Sequence, residues 1–324
     1  MRFESLNIHS TEQMSMEISS IAVDESVSTV FPPEQLRDAL VDIVDVMIID
    51  AGVDSLEPYD AVVTMAYHDS YLEGVYWIHS IQAGVDRFPF DELREHEVIL
   101  TNSSGIHGSA VGETVAGYML SFARRLLPAV KSQTQREWSP PTWDDAYTLA
   151  DERCCIVGLG TLGRGIVKQA SALGLDVIGV RRSGESLNGV RTVYTPDDLH
   201  TAIRESKFVV LAVPLVDETH HLMSTEEFAA MRDDAILINV ARGPVVDQDA
   251  LVDALEAGII GGAALDVFEA EPLPKDSPLW DFEEVLITPH CAGFTEDYYR
   301  NVADLVRENL VHIDAGEELI NKIV

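Results

Sequence analysis

Apolar residues fall in short runs along most of the chain, separated by polar, glycine-rich or proline-containing stretches. Runs of four to eight residues rich in Val, Ile and Leu read as strands buried on both faces of a parallel sheet. VDIVDVMIID (41–50) and DAVVTMA (60–66) are two such buried strands. VYWIHSIQAG (75–84) is a third that runs into a glycine turn, and EVILTNSSG (97–105) is a fourth. AVGETVAGYMLSFARRLL (110–127) has helical spacing, and Pro128 follows where a helix would stop. Residues 131–150 hold Trp138, Pro140, Pro141 and Trp143 and predict an irregular connection. From residue 153 strand and helix patterns alternate: a strand at 155–157, a helix at 162–173, then LDVIGVRRS, KFVVLAVPL, DAILINVARG, IIGGAALDVF and EVLITPHCAG as strands. Residues 294–313 predict an amphipathic closing helix. The alternation predicts an α/β fold.

A length of 324 residues suggests about two domains. With 46% apolar and 24% charged residues the chain can build a core, which excludes a disordered, collagenous or disulfide-framed protein. Three cysteines, Cys154, Cys155 and Cys291, make no disulfide framework and indicate a reducing compartment. The opening MRFESLNIHSTEQMS lacks a basic stretch followed by an apolar run, so no secretory signal is expected. No apolar stretch approaches the ~18 residues of a membrane span. A cytoplasmic location is the expectation.

Charge changes the picture. The chain carries 55 acids against 22 bases, a net charge of −33. Such a surface repels phosphate backbones and anionic lipids, so neither nucleic acid nor membrane is an expected partner. The acids are dispersed, and only five bases are lysines (Lys131, Lys168, Lys207, Lys275 and Lys322). This composition fits a halophilic protein, because at ~1 M salt a Debye length of ~3 Å hides each charge from the next.

GLGTLG (158–163) lies between a predicted strand and a predicted helix. In that setting Gly158 serves the tight turn, Gly160 the approach of a pyrophosphate, and Gly163 close packing of helix on sheet. The phosphates would sit at the helix N-terminus. About 20 residues on, where an NAD site places an acid for the ribose 2′-hydroxyl, the chain has Arg181, Arg182 and Ser183. Two arginines and a hydroxyl suit a 2′-phosphate.

INVARGPVVD (238–247), ALDVFEAEPLP (264–274) and LITPHCAG (286–293) fall at strand ends. Ligands of open parallel sheets bind beyond those ends. The motifs bring Arg242, Glu271 and His290 to that edge. An arginine fork holds a carboxylate, and a histidine beside a carboxylate donates a proton. With a nicotinamide, this set suits reduction of a 2-oxo acid. Each residue also has an ordinary reading, as a surface arginine, an exposed turn acid and a structural loop histidine.

VGLGTLGRG, NVARGPVVD, DVFEAEPLP and TPHCAG, in this order, resemble the D-isomer-specific 2-hydroxyacid dehydrogenase family over nearly the whole chain. With its acidity the chain is most similar to the haloarchaeal type. The resemblance implies two doubly wound parallel-sheet domains, a Rossmann cofactor domain (106–293) inserted in a flavodoxin-like substrate domain (1–105 plus 294–324). It implies that Arg242 orients the substrate, that His290 exchanges the proton, and that Glu271 holds His290. Ala83 and Gly84 would bind the substrate carboxylate through backbone N–H groups, and the loop at Ala66 would close on it. Thr161 and Leu162 would bind the pyrophosphate, Val213, Pro214 and Thr219 the adenosine side, and Asp266 would lie near the nicotinamide carboxamide. Val240, Ala241 and Gly293 would also touch the cofactor.

The resemblance also implies a small 2-oxo or 2-hydroxy acid substrate and a homodimer through the cofactor domains, with residues 110–127 and 138–143 as its interface. Arg181 departs from the family's usual acid, so NADP(H) is expected to be preferred and NAD(H) to be weaker. Cys291 is either a packing residue or a reactive thiol. No metal is implied. Two rivals stand beside this reading: a catalytically silent NADP-binding regulator, and an enzyme oxidising formate or phosphonate.

Overall fold

The computed structural model describes residues 17–50, 52 and 56–324. The chain divides into two compact units, Met1–Ser104 with Glu296–Val324, and Gly105–Thr295.

The first unit is built on a parallel sheet of β1 (Ser20–Asp24), β2 (Asp45–Ile49), β3 (Ala61–Thr64), β4 (Trp77–Ser80) and β5 (Ile99–Asn102) in the order β2-β1-β3-β4-β5. This is the flavodoxin-like order. The strand β1 answers to no expectation from the pattern, since only Ile21, Ala22 and Val23 form its apolar run, yet all three are fully buried. Residues 41–50 do not form one buried strand. The chain turns up to residue 44, and β2 is an edge strand in which Met47 is 52% exposed. With a single strand neighbour, it fully buries only Val46 and Ile49, one on each face. Helices α1 (Pro33–Leu40), α2 (Tyr71–Gly74) and α3 (Phe90–Glu95) connect the strands. The closing helix, Tyr298–Ala315, returns to this unit, where the Tyr298 hydroxyl donates to the Ile81 carbonyl at 2.8 Å.

His79 lies on β4, an interior strand of that sheet, and is buried, with no room for charge. Its Nδ1 is 2.8 Å from Thr101 Oγ1 and its Nε2 is 3.1 Å from Ser103 Oγ. Burial pushes the imidazole down to about 3, so it is neutral at physiological pH.

The second unit begins with α4 (Gly108–Ala123) and α5 (Leu126–Gln135), then β6 (Arg153–Val157), α6 (Thr161–Ala172), β7 (Asp176–Val180), β8 (Thr192–Tyr194) and α7 (Leu199–Ile203). It continues through β9 (Phe208–Leu211), α8 (Thr225–Ala230), β10 (Ile236–Asn239), α9 (Gln248–Glu256), β11 (Gly262–Leu265) and β12 (Val285–Ile287); the closing helix of the first unit is therefore α10. The sheet order is β12-β11-β10-β9-β6-β7-β8, all parallel. That is the doubly wound dinucleotide-binding order with one extra strand, reversing between β6 and β9. Alternate strand residues supply two cores. Cys155, Val157, Ile178, Val209 and Leu237 pack on one face, and Cys154, Ile156, Val177, Phe208 and Ile238 on the other. Both faces are covered, which is why the runs are continuously apolar.

The helix expected over 110–127 is two helices. Arg125 takes a left-handed φ of 56° and breaks it. Pro128 lies in the first turn of α5, where its missing N–H costs nothing, so it stops no helix and residues 131–135 are helical. Helices α4 and α6 approach so closely that a Cβ at Gly165 would stand 1.7 Å from the Gly108 carbonyl oxygen. No helix among the described residues is long and apolar enough to cross a membrane.

Candidate active site

The site is built at the carboxyl ends of the strands of the second unit. The chain leaves β6 at Gly158, whose φ of 100° is strained for any residue with a side chain. A Cβ there would meet the Ala212 carbonyl oxygen at 2.4 Å, and one at Gly163 would meet the Gly158 oxygen at 1.9 Å. Gly160 instead faces open space, with no heavy atom within 4 Å of where a Cβ would stand. Helix α6 starts directly after it without a side-chain cap. The N–H groups of Thr161 and Leu162 therefore have no partner within the helix. Open space in front of uncapped donors fits a dinucleotide pyrophosphate.

Strand β7 delivers Arg181 to the same edge. Arg182 and Ser183 follow it and are exposed. The pattern missed Glu185, which sits against this group. Its Oε2 is 3.5 Å from Arg181 Nη2 and accepts from the Ser183 hydroxyl at 3.3 Å. Beyond β9, Val213 and Thr219 are partly buried and Pro214 is exposed. The Thr219 hydroxyl donates to the Pro214 carbonyl at 2.6 Å and accepts from the Val216 N–H at 2.9 Å. It is spent on closing its own turn.

The loop after β10 carries Val240 and Ala241, both buried, and then Arg242. Buried Asn239 shapes it. Its Oδ1 accepts from the Ala241 N–H at 3.1 Å, and its Nδ2 donates to the Arg242 carbonyl at 3.0 Å. The Arg242 guanidinium donates to the Ala241 carbonyl at 2.7 Å. A Cβ at Gly243 would overlap the Phe268 backbone at 1.9 Å, so this loop lies directly on the one that leads to Glu271.

Glu271 and His290 meet. His290 Nδ1 is 2.7 Å from Glu271 Oε2, and Glu271 Oε1 accepts from the Phe268 N–H at 3.0 Å. Burial would raise the Glu271 carboxyl, but the hydrogen bonds from His290 and Phe268, with the charges of His290 and Arg242, hold it below the usual range. Glu271 is thus ionised at neutral pH and accepts the Nδ1 proton. By elimination, Nε2 is the atom of His290 left for chemistry.

Asp266, 2% exposed, organises the turn that carries His290. Its backbone oxygen accepts from the His290 N–H at 2.8 Å, Oδ1 from the Cys291 N–H at 2.9 Å, and Oδ2 from the Ala292 N–H at 3.0 Å. Burial and the Asp266 charge push the Cys291 thiol up, which keeps it protonated at neutral pH. Gly293 lies against His107, with 3.0 Å between its would-be Cβ and the imidazole Cδ2. Burial and the nearby Arg242 charge take His107 down to about 4. Nothing in the sequence pattern marked His107, Asn239 or Glu185.

In the first unit, the Ala66 N–H is held by the hydroxyls of Ser26 and Thr64 at 3.2 and 3.1 Å. Ala83 is exposed, and its carbonyl accepts from Asn102 Nδ2 at 2.5 Å. The N–H groups of Ala83 and Gly84 make no hydrogen bond among the described residues.

Comparison with known proteins agrees with this architecture. Residues 116–292 match the family model of the D-isomer specific 2-hydroxyacid dehydrogenase NAD binding domain. A glyoxylate reductase of Thermofilum pendens is 36% identical over 259 residues, covering 76% of this chain and 75% of the relative. A D-isomer specific 2-hydroxyacid dehydrogenase family protein of Aeromonas salmonicida superposes with a TM-score of 0.83 at 29% identity, covering 95% of this chain and 99% of its own. The D-isomer specific 2-hydroxyacid dehydrogenase of Xanthobacter autotrophicus, solved with NADPH and MES, superposes with a TM-score of 0.79 at 30% identity, covering 95% and 98%. With its fold, the paired Glu271 and His290 and these likenesses, the chain belongs to the D-isomer specific 2-hydroxyacid dehydrogenase family of NAD(P)-dependent oxidoreductases.

Proposed function

We propose that this protein is a D-2-hydroxyacid dehydrogenase that reversibly reduces 2-oxo acids, prefers NADP(H) over NAD(H), and works in high salt. The observation that carries the chemistry is the 2.7 Å contact between His290 Nδ1 and an ionised Glu271, at the strand ends of the unit that holds the dinucleotide cradle. In reduction, His290 gives the proton on Nε2 to the carbonyl oxygen, and in oxidation it takes that proton back. Arg242 holds the substrate carboxylate and carbonyl through its fork of donors. The bound nicotinamide supplies the hydride. Because reduction consumes the Nε2 proton, its rate falls as pH rises, and oxidation shows the opposite trend.

The substrate half is residues 1–105 plus 294–324, and the cofactor half is 106–293. Unengaged N–H groups at Ala83 and Gly84 support their assignment to the substrate carboxylate. Gly158, Gly160, Thr161 and Leu162 take the pyrophosphate. Arg181, Arg182 and Ser183 take the 2′-phosphate, a reading supported by the NADPH held by the Xanthobacter relative. Val213, Pro214, Thr219, Val240, Ala241, Asp266 and Gly293 complete the cofactor contacts, Thr219 by its backbone and methyl group. The substrate loops are mostly small or apolar, which favours aliphatic 2-oxo acids, and the Thermofilum relative's name adds glyoxylate to the panel.

The protein is a homodimer through the cofactor half. Helix α5 has no buried residue, and Trp138 and Trp143 are 98% and 94% exposed, apolar surface that a second copy would cover. The deciding experiment is NADPH oxidation with a panel of 2-oxo acids in molar KCl, for the wild type and for His290→Ala. No oxidation with any of them contradicts the reading.

A further inference from the structure

His290 has a φ of 51°, a left-handed conformation that costs a residue with a side chain energy. It sits in a turn, residues 288–293, without regular structure. Something must hold it there. Asp266 receives three successive N–H groups of that turn, from His290, Cys291 and Ala292. Asp266 is held in turn. Thr288 Oγ1 donates to Asp266 Oδ1 at 2.6 Å, and Tyr118 Oη lies 2.5 Å from the same Thr288 oxygen. A threonine hydroxyl has one proton, and here Asp266 receives it, so Tyr118 is the donor to Thr288. Burial pushes the Tyr118 phenol up, which keeps that donor protonated.

Tyr118 belongs to α4, and two further residues of this helix reach the same turn. The Thr114 hydroxyl donates to the Ala292 carbonyl at 3.0 Å, and His107, the cap of α4, packs on Gly293. The spacings from 107 to 114 and 118 are two and three helical turns, so the three share one face. One face of α4 thus turns a polar stripe toward the loop that carries His290.

We infer that Tyr118 and Thr288 are positioning residues that, through Asp266, lock the left-handed turn and set where His290 holds its proton. This rests on His290 being the proton donor. Without the hydroxyl chain the turn relaxes, and the imidazole leaves its line to the substrate while the pyrophosphate cradle at Gly158–Leu162 stays as it is.

The test uses the full chain in molar KCl, with variants Thr288→Val, Thr288→Ser, Tyr118→Phe and the Tyr118→Phe/Thr288→Val pair. Turnover is measured with NADPH and the 2-oxo acid that the wild type reduces fastest. Displacement of a reacting group by about 1 Å costs up to ~100-fold, so kcat of Thr288→Val falls about 10- to 100-fold. Thr288→Ser, which keeps the hydroxyl, stays near wild type. Tyr118→Phe moves the same way as Thr288→Val, and the pair is no worse than Thr288→Val alone, because both sever one chain. The substrate KM, the NADPH Kd by fluorescence titration and the thermal midpoint of Thr288→Ser and Tyr118→Phe stay close to wild type. Unchanged kcat in Tyr118→Phe or Thr288→Val, a serine variant as poor as the valine one, or a matching loss in NADPH affinity overturns the inference. Should Thr288→Val not fold, Tyr118→Phe and Thr288→Ser decide alone. Full turnover in His290→Ala overturns the proton-donor reading itself, whereas its loss beside an intact Thr288→Val overturns only the positioning role.

Discussion

His290 commits Nδ1 to Glu271 and leaves Nε2 as the atom proposed to meet the substrate. Glu271→Gln keeps the size of the side chain but removes the negative charge that faces the imidazolium. Reduction kcat should fall about 10- to 100-fold with the KM for NADPH unchanged; equal kcat values would deny Glu271 its role. Both residues were legible in the sequence, because DVFEAEPLP and TPHCAG each end a strand. The donor to Thr288 was not, since Tyr118 is 170 residues away and looks like one more apolar position in a helix. Glu185 was equally silent. It already engages Arg181 and Ser183, the groups proposed to take a 2′-phosphate. A charge-assisted bond is worth ~1.5–3 kcal/mol, so Arg181→Asp should shift the NADPH/NADH ratio of kcat/KM toward NADH about 10- to 100-fold. Glu185→Gln should move it the other way. A ratio indifferent to both changes would show that this loop does not read the 2′-phosphate.

Strands announce themselves when both faces are covered, and most of the two sheets could be read for that reason. β1 escaped because its apolar run is three residues long, and β8 because its residues are half-buried at a sheet edge. The break between α4 and α5 depends on a left-handed arginine, which no periodicity records. Within β4, neutral His79 makes the sheet sensitive to acid. Its folded value, about 3, lies below the ordinary 6.5, so the unfolded chain takes up a proton that the folded one refuses. The stability it lends is complete above pH 6.5 and is lost as pH falls toward 3, at about 1.4 kcal/mol per pH unit. Between pH 7 and 5 the wild type should lose about 2 kcal/mol more unfolding free energy than His79→Asn, measured by denaturant titration at fixed salt. Parallel losses in the two proteins would remove His79 as the cause.

At the scale of the molecule, a net charge of −33 opposes compaction and self-association in dilute buffer. At ~1 M salt the Debye length shrinks to ~3 Å and the repulsion is screened. The thermal midpoint should therefore rise steeply from low to molar KCl, and light scattering should find a dimer at the high end. A midpoint independent of KCl would sink the high-salt reading, and a monomer in molar KCl would sink the dimer. The central claim is hydride transfer to a 2-oxo acid with His290 as the proton donor. Its most direct test is the initial rate of NADPH oxidation with 2-oxo acids in molar KCl across a pH series, for the wild type and His290→Ala. The account predicts a wild-type rate that declines as pH rises, and a loss of about 10²–10⁴-fold in His290→Ala with NADPH binding retained. Wild-type turnover in His290→Ala, or a wild-type rate flat well into alkaline pH, would contradict it.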